Sequence, residues 1–240
     1  MRTFVLHYQP LAERLVHMNK EIERTGLDAE FVLTHDKEVL TDDDKCIYDF
    51  DSTWSGRTLW QSNASLISKH LEAYTRILNQ GLDYGHVLED DVILHDGFAE
   101  KAQTYLDQLP HDDWDILFYG DGYRGNMKVP QRVIDAQGGG NVFLKGLQGT
   151  GVPERNATGW PVCGGASRCS DNYLISRRCV EKILDRVTQI RNGTKRRIDR
   201  PSDLWMNSLF RELRLSIYWG EPTLSTQGTE TGMFPSAHKE

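Results

Sequence analysis

Val87-Leu88-Glu89-Asp90-Asp91-Val92-Ile93-Leu94 sets three consecutive acids between two apolar runs. A strand-length hydrophobic segment that ends in carboxylates carries charged oxygens to the rim of a sheet, where their mutual repulsion calls for a cation. Acid triplets also occur as solvated loop tips and in the first turn of helices. Here apolar chain flanks the acids on both sides, and burying unpaired carboxylates is costly unless they serve a purpose. Oxygen-only ligation at a strand end suits Mg²⁺ or Mn²⁺, which keep waters or substrate phosphates as their remaining ligands. The pattern predicts an enzyme that handles a nucleotide diphosphate.

Working outward toward the N-terminus, strand and helix signals alternate. Thr3 to His7 reads as a strand, and Leu11, Leu15, Met18 and Ile22 then recur at helical spacing until Gly26. Glu30 to Thr34 reads as a second strand. Ile67, Leu71, Tyr74 and Leu78 line one face of a second helix, which Gly81 ends before a strand from Gly85 to Leu88. Beyond the acids, Phe98, Ala102, Tyr105 and Leu109 mark a helix closed by Pro110, and Asp115 to Tyr119 reads as a fourth strand. Alternating strands and helices predict a mainly parallel α/β sheet flanked by helices, with ligands at the carboxyl ends of its strands.

From Gly122 to Arg168 the periodicity fades and glycines cluster at 138–140, 146, 149 and 151, around a strand-like Val142-Phe143-Leu144. Long irregular excursions in compact domains are often binding loops or lids. Regular signals return with a strand at Asn172 to Ser176, then a helix carrying Val180, Ile183, Leu184 and Val187. A shorter helix begins near Asp203, and the last strand reads as Leu215 to Trp219.

The 240 residues, 38% hydrophobic and 26% charged, can bury one large core, and no linker divides them. A single domain is expected, with residues 1–121 binding a nucleotide and 122–240 binding a second substrate. The net charge of −7 argues against general nucleic-acid binding, which relies on Lys and Arg to neutralise phosphates. No run reaches the roughly 18 apolar residues of a membrane span, and no targeting signal precedes Thr3, so a cytoplasmic location is expected. Cys46, Cys163, Cys169 and Cys179 lack metal-ligand spacing and read as thiols, with a pairing of Cys163 and Cys169 left open.

Several pieces together resemble glycosyltransferase family 25, which includes lipooligosaccharide and collagen galactosyltransferases. They are Ser65-Leu66-Ile67-Ser68-Lys69-His70-Leu71-Glu72-Ala73-Tyr74, Gly81-Leu82-Asp83-Tyr84 and Leu88-Glu89-Asp90-Asp91-Val92. Glu13-Arg14, Trp114-Asp115-Ile116-Leu117, Asn172-Tyr173-Leu174-Ile175-Ser176 and Pro201-Ser202-Asp203 extend the likeness over most of the chain. The chain departs from the pattern at Lys69, where family members often carry an apolar or small residue, and in the Gly-rich excursion.

The resemblance implies a GT-A fold and transfer of a hexose from a UDP-sugar to an acceptor hydroxyl, with inversion at the anomeric carbon. UDP-galactose leads as donor and UDP-glucose follows; the acceptor would be a saccharide, glycolipid or glycoprotein. The acid triplet would be this chain's aspartate-x-aspartate motif, with Asp91 and Glu89 as ligands of Mn²⁺ (or Mg²⁺), Asp90 beside them, and His238 as a third ligand near the chain's end. Asp203 is the first candidate for the general base, against a plain role at a helix start. Asp121, whose plain role is a turn acid, is the second. His7, Tyr8 and Asp36, at strand exits, and His70, in the matched helix, are candidates for donor contacts, as are Glu89 and Asp90 in the acid triplet. The run Lys195-Arg196-Arg197, with Arg191 and Arg200, reads as a solvated loop or as a patch for an anionic acceptor or a membrane surface. Two other classes stay open: a metal-dependent sugar-nucleotide hydrolase or nucleotidyltransferase, and a noncatalytic carbohydrate-binding module.

Overall fold

In the computed structural model, strand β1 (Arg2–Leu6) sends Phe4 and Leu6 into one apolar layer and Val5 into another, the alternation that a pleated strand imposes. A strand buried on both faces needs cover on both faces, which the intervening helices supply. The structure describes residues 1–54, 57–111, 113–122, 142–145 and 168–235, with 53–54, 57–58 and 142–145 described by backbone alone.

Helix α1 (Ala12–Thr25) ends where Gly26 turns left-handed at φ +67°, its N–H bonded to the Ile22 carbonyl, and strand β2 (Asp28–Val32) follows. Thr41 caps the single turn α2 (Asp42–Lys45). After the short pair β3 (Thr53–Trp54) and β4 (Arg57–Thr58) come α3 (Gln61–Asn79), β5 (Tyr84–Glu89), β6 (Val92–Leu94), α4 (Phe98–Leu106), β7 (Ile116–Phe118) and β8 (Val142–Lys145). The remainder is β9 (Asn172–Ser176), α5 (Arg177–Arg191), α6 (Ser202–Glu212), β10 (Ile217–Glu221), β11 (Ser225–Gln227) and α7 (Gly228–Thr231).

The main sheet has the order β2-β1-β5-β9-β7-β10-β8. β1, β2, β5, β7 and β10 run one way, while β9 and β8 run against them. One face packs on α3, α5 and α6 through Ile67, Ile77, Ile183 and Leu209; the other packs on α1 and α4 through Met18, Phe98 and Tyr105. This is a mixed α/β, mainly parallel sheet flanked by helices, of the Rossmann-like kind that the sequence predicts.

Two readings of the sequence are corrected. β2 lies two residues earlier than Glu30 to Thr34, because Leu33 leaves the sheet and stands 42% exposed. After β5 the chain turns at Asp90–Asp91, and Val92–Leu94 enters a separate two-stranded sheet with β11. The last strand is not Leu215 to Trp219. β10 spans Ile217–Glu221 and β11 follows it, a polar Ser-Thr-Gln segment with no apolar alternation to betray it.

Close contact sets the position of α3 on the sheet. A Cβ added at Gly85 in β5 would sit 2.5 Å from Ile77 Cγ1 and 3.1 Å from Phe4 Cε2. Both side chains are fully buried, and Ile77 is stiff at χ1. Gly85→Ala is expected to destabilise the protein by about 1–3 kcal/mol through overpacking, read as a lower midpoint in urea with an unchanged slope. An unaltered midpoint would mean that α3 can shift freely.

Candidate functional site

The turn after β5 gives each of its three acids a different environment. Asp90 is consumed by local structure: its Oδ2 accepts from His7 Nδ1 at 2.8 Å and from the Tyr8 backbone N–H at 3.1 Å, and its Oδ1 accepts from Arg14 Nη1 at 2.8 Å. Burial pushes its carboxyl upward, but the His7 hydrogen bond and the Arg14 charge hold it below the ordinary range. Asp90 thereby ties the exit of β1 to the start of α1. Arg14 also donates to Thr229 Oγ1 at 3.0 Å and to the Pro235 carbonyl at 2.8 Å, and its guanidinium lies 5.5 Å from the centre of the Phe234 ring.

Asp91 is only half satisfied. Its Oδ2 accepts from the Thr229 hydroxyl and from the Thr229 N–H at 3.3 Å, with Arg14 Nη1 at 3.7 Å. Its Oδ1 is buried without a partner among the described residues. Glu89 accepts from Ser170 Oγ at 2.7 Å, and Ser170 bonds Ser202 Oγ at 2.9 Å. Burial, then the charges of Asp91 and Asp171, push the Glu89 carboxyl well above its usual range.

These acids lie on the wall of a cavity of about 500 Å³ at the carboxyl ends of β1 and β5. Tyr8, Lys37, Asn63, Ser65 and Lys69 line it on the β2 side; Cys169, Ser170, Ser202, Asp203, Thr229 and Glu230 line it on the β9 side. Asp203 sits in the first turn of α6, where its Oδ1 accepts the Leu204 N–H at 2.8 Å, and desolvation raises its carboxyl above the ordinary range.

The other residues singled out from sequence fall behind or beside this wall. His7 is buried and works on Asp90. Asp36 is buried and pairs with Lys69 Nζ at 2.7 Å, so the departure at Lys69 places an ammonium against the acid at the exit of β2. His70 is buried beneath Glu89, its Nε2 3.9 Å from Glu89 Oε1, and burial pushes its ring down to about 3, so the imidazole is neutral. Asp121 follows β7, accepts from Thr226 Oγ1 at 3.2 Å and is not on the cavity wall. His238 and the glycines of the excursion lie outside the described residues, as does Cys163; Cys46, Cys169 and Cys179 are free thiols. The basic run is spread over surface pairs, Arg191 with Asp43 at 2.9 Å, Lys195 with Glu212 at 2.9 Å and Arg196 with Asp199 at 3.0 Å, and is not among the lining residues. Among the described residues no three His, Cys, Asp or Glu side chains already converge as a metal site, and no helix is long and apolar enough to cross a membrane.

Sequence reasoning missed Asp171. It stands across from Glu89 where β9 begins, its carbonyl accepting the Glu89 N–H at 2.8 Å, and both carboxylate oxygens are buried without a partner among the described residues. The strand-rim argument made for Glu89 applies equally to an acid just before the Asn172–Ser176 run. Burial and the Asp91 charge raise the Asp171 carboxyl to about 8. Between its ordinary 3.8 and about 8, the folded protein holds a proton that the unfolded chain has released, so stability is lost as pH rises through that window. Asp171→Asn is expected to stabilise the protein in EDTA by on the order of a few kcal/mol at pH 8 and by less at pH 5. Calorimetry at the two pH values checks this, and a destabilised Asn variant at pH 8 would contradict it.

No curated protein matches the chain. The sequence model of glycosyltransferase family 25 (LPS biosynthesis protein) matches residues 1–135, more than half of the chain, including α3 and the Glu89–Asp91 turn. The chain belongs to glycosyltransferase family 25 and is a glycosyltransferase, whose substrates are a sugar donor and a saccharide acceptor.

Proposed function

We propose that this glycosyltransferase is metal-dependent and inverting, and moves galactose or glucose from a UDP-sugar to a hydroxyl of a glycan acceptor. The observation that carries this reading is the buried, unpartnered Oδ1 of Asp91 on the wall of the cavity, with Glu89 beside it. Hard oxygen donors that repel one another, one of them without a hydrogen-bond partner among the described residues, fit Mn²⁺ or Mg²⁺, which complete their shells with phosphate oxygens and water. Such a cation, held by Asp91 and Glu89, would stabilise the charge that develops on the departing diphosphate.

The remaining roles follow from the chain's own groups. Arg14 and His7 fix Asp90, and Thr229 fixes Asp91, so the acids are oriented before any ligand arrives. Tyr8, Lys37, Asn63 and the Lys69–Asp36 pair form the wall assigned to the nucleotide. Asp203, on the opposite wall, takes the proton of the acceptor hydroxyl as that oxygen bonds the anomeric carbon and the sugar–phosphate bond breaks. Its desolvated carboxylate is a stronger base than an exposed one. Asp203 is preferred to Asp121 because it reaches the cavity. The family's description as LPS biosynthesis proteins favours a glycolipid acceptor.

The test is a panel of UDP-sugars with Mn²⁺, Mg²⁺ or EDTA, followed by proton NMR of the anomeric signals. One donor should be consumed only with metal, and its sugar should appear in the product with inverted configuration. Transfer in EDTA, or retained configuration, would overturn the reading. Free sugar released equally well with and without acceptor would identify a hydrolase instead.

A further inference from the structure

α3 and β9 place a polar relay directly behind Glu89. The Tyr74 and Tyr173 hydroxyls are 2.6 Å apart, and the Tyr173 hydroxyl is 2.7 Å from His70 Nδ1. The imidazole stacks on the Tyr173 ring at a centroid distance of 5.8 Å and an angle of 28°. All three side chains are buried, with His70 3% exposed and the two tyrosines 1% or less. Burial pushes both phenols above their ordinary range, so each keeps its proton.

That proton inventory allows two directions for the relay. Either Tyr74 donates to Tyr173, Tyr173 donates to His70 Nδ1 and the ring proton sits on Nε2, or every bond is reversed and Nε2 presents a lone pair. Nε2 faces Glu89 Oε1 at 3.9 Å and has no hydrogen-bond partner among the described residues. Oε1 already accepts from the Ser170 hydroxyl, so a lone pair aimed at it is repelled whereas an N–H is attracted, and the first direction is favoured. A buried donor left unmade is costly, and a movement of about 1 Å would bring the pair to normal hydrogen-bond distance.

We propose that His70 is a positioning residue for Glu89: its Nε2–H closes on the carboxylate when the cavity fills, and the Tyr74–Tyr173 pair holds the imidazole in the one tautomer able to do so. The inference rests on the reading of Glu89 as a donor-side ligand. It assigns His70 a role through Glu89 instead of a direct contact with the donor. It also gives Tyr173 a purpose beyond packing, since its ring lies in the core while its hydroxyl sets the proton on the imidazole.

The test uses the full chain and two kinds of readout. Nitrogen-15 NMR of His70 should show protonated Nε2 and bare Nδ1 in the free protein, and the Nε2 proton should move downfield when UDP and Mg²⁺ are added. His70→Leu should lower kcat by about 10–100-fold with little change in KM for the acceptor, and His70→Gln, which returns an N–H near the Nε2 position, should recover most of the loss. Tyr173→Phe keeps the ring and controls for folding; it should mix the tautomers and lower kcat several-fold. Protonated Nδ1 in the free protein, no NMR response to UDP and Mg²⁺, or equal activity of the Leu and Gln variants overturns the relay. Glu89→Gln separates the two levels. If it binds UDP and Mg²⁺ as tightly as the parent and turns over normally, the role of Glu89 fails and the relay with it; if it is impaired while the His70 variants are indistinguishable, the relay alone fails.

Discussion

Asp91→Ala is expected to lower sugar transfer by about 10³-fold, on the scale seen when one preorganised electrostatic partner of a developing anion is removed. The effect should be large because the two oxygens of Asp91 are divided between structure and function. Oδ2 accepts from Thr229 and so holds the first turn of α7, while Oδ1 has no partner among the described residues. Alanine removes both roles, so Asp91→Asn is the informative companion. An amide oxygen can still accept from Thr229, but the charge is gone. The Asn protein should therefore fold and melt like the parent yet transfer no better than the Ala protein. Calorimetric titration with UDP and Mn²⁺ should show the loss at the level of binding, and an Asn variant with near-parental transfer would remove Asp91 from the reaction.

Asp203→Asn is expected to lower kcat by about 10²–10⁴-fold while leaving UDP binding close to that of the parent. An amide cannot accept the acceptor's proton, but it preserves the volume, and its oxygen can still accept the Leu204 N–H. The parent enzyme should show an acid limb in kcat/KM, rising as Asp203 ionises above the ordinary carboxylate range, and the Asn variant should lack that limb. Stability should move in the opposite sense. A carboxyl whose folded value is raised loses stability as it ionises on going up in pH, so the Asn protein should be no less stable than the parent near pH 7. A variant that keeps both turnover and the acid limb would return the base role to Asp121 or another group.

The strands and helices that frame this site were legible because their apolar periods are clean. Phe4, Val5 and Leu6 alternate between two cores, and Ile67, Leu71, Tyr74 and Leu78 recur toward one core along α3. The Glu89–Asp91 turn stood out for the same reason, since acids interrupt an otherwise apolar run. The division of labour among the three acids was not. It depends on His7 and Arg14, 83 and 76 residues away from Asp90, and on Thr229, 138 residues away from Asp91. No local pattern marks such partners, so Asp90 reads from sequence as a donor contact although its oxygens are occupied by the protein. β11 was invisible because strand periodicity needs apolar residues, and Ser225, Thr226 and Gln227 carry none. Asp171 could have been found from the rim of β9, and its pairing against Glu89 required knowing that β9 runs antiparallel to β5.

The Arg14 guanidinium grips partners 215 and 221 residues further along the chain, Thr229 and Pro235, with the same side chain that holds Asp90. A growing polypeptide can pair β1, β2 and β5 from its first 89 residues, since these strands adjoin one another. It cannot set this clamp until residue 235 has been synthesised. The lock on the Asp90 turn therefore closes only after the last described strand of the main sheet, β10, has been made.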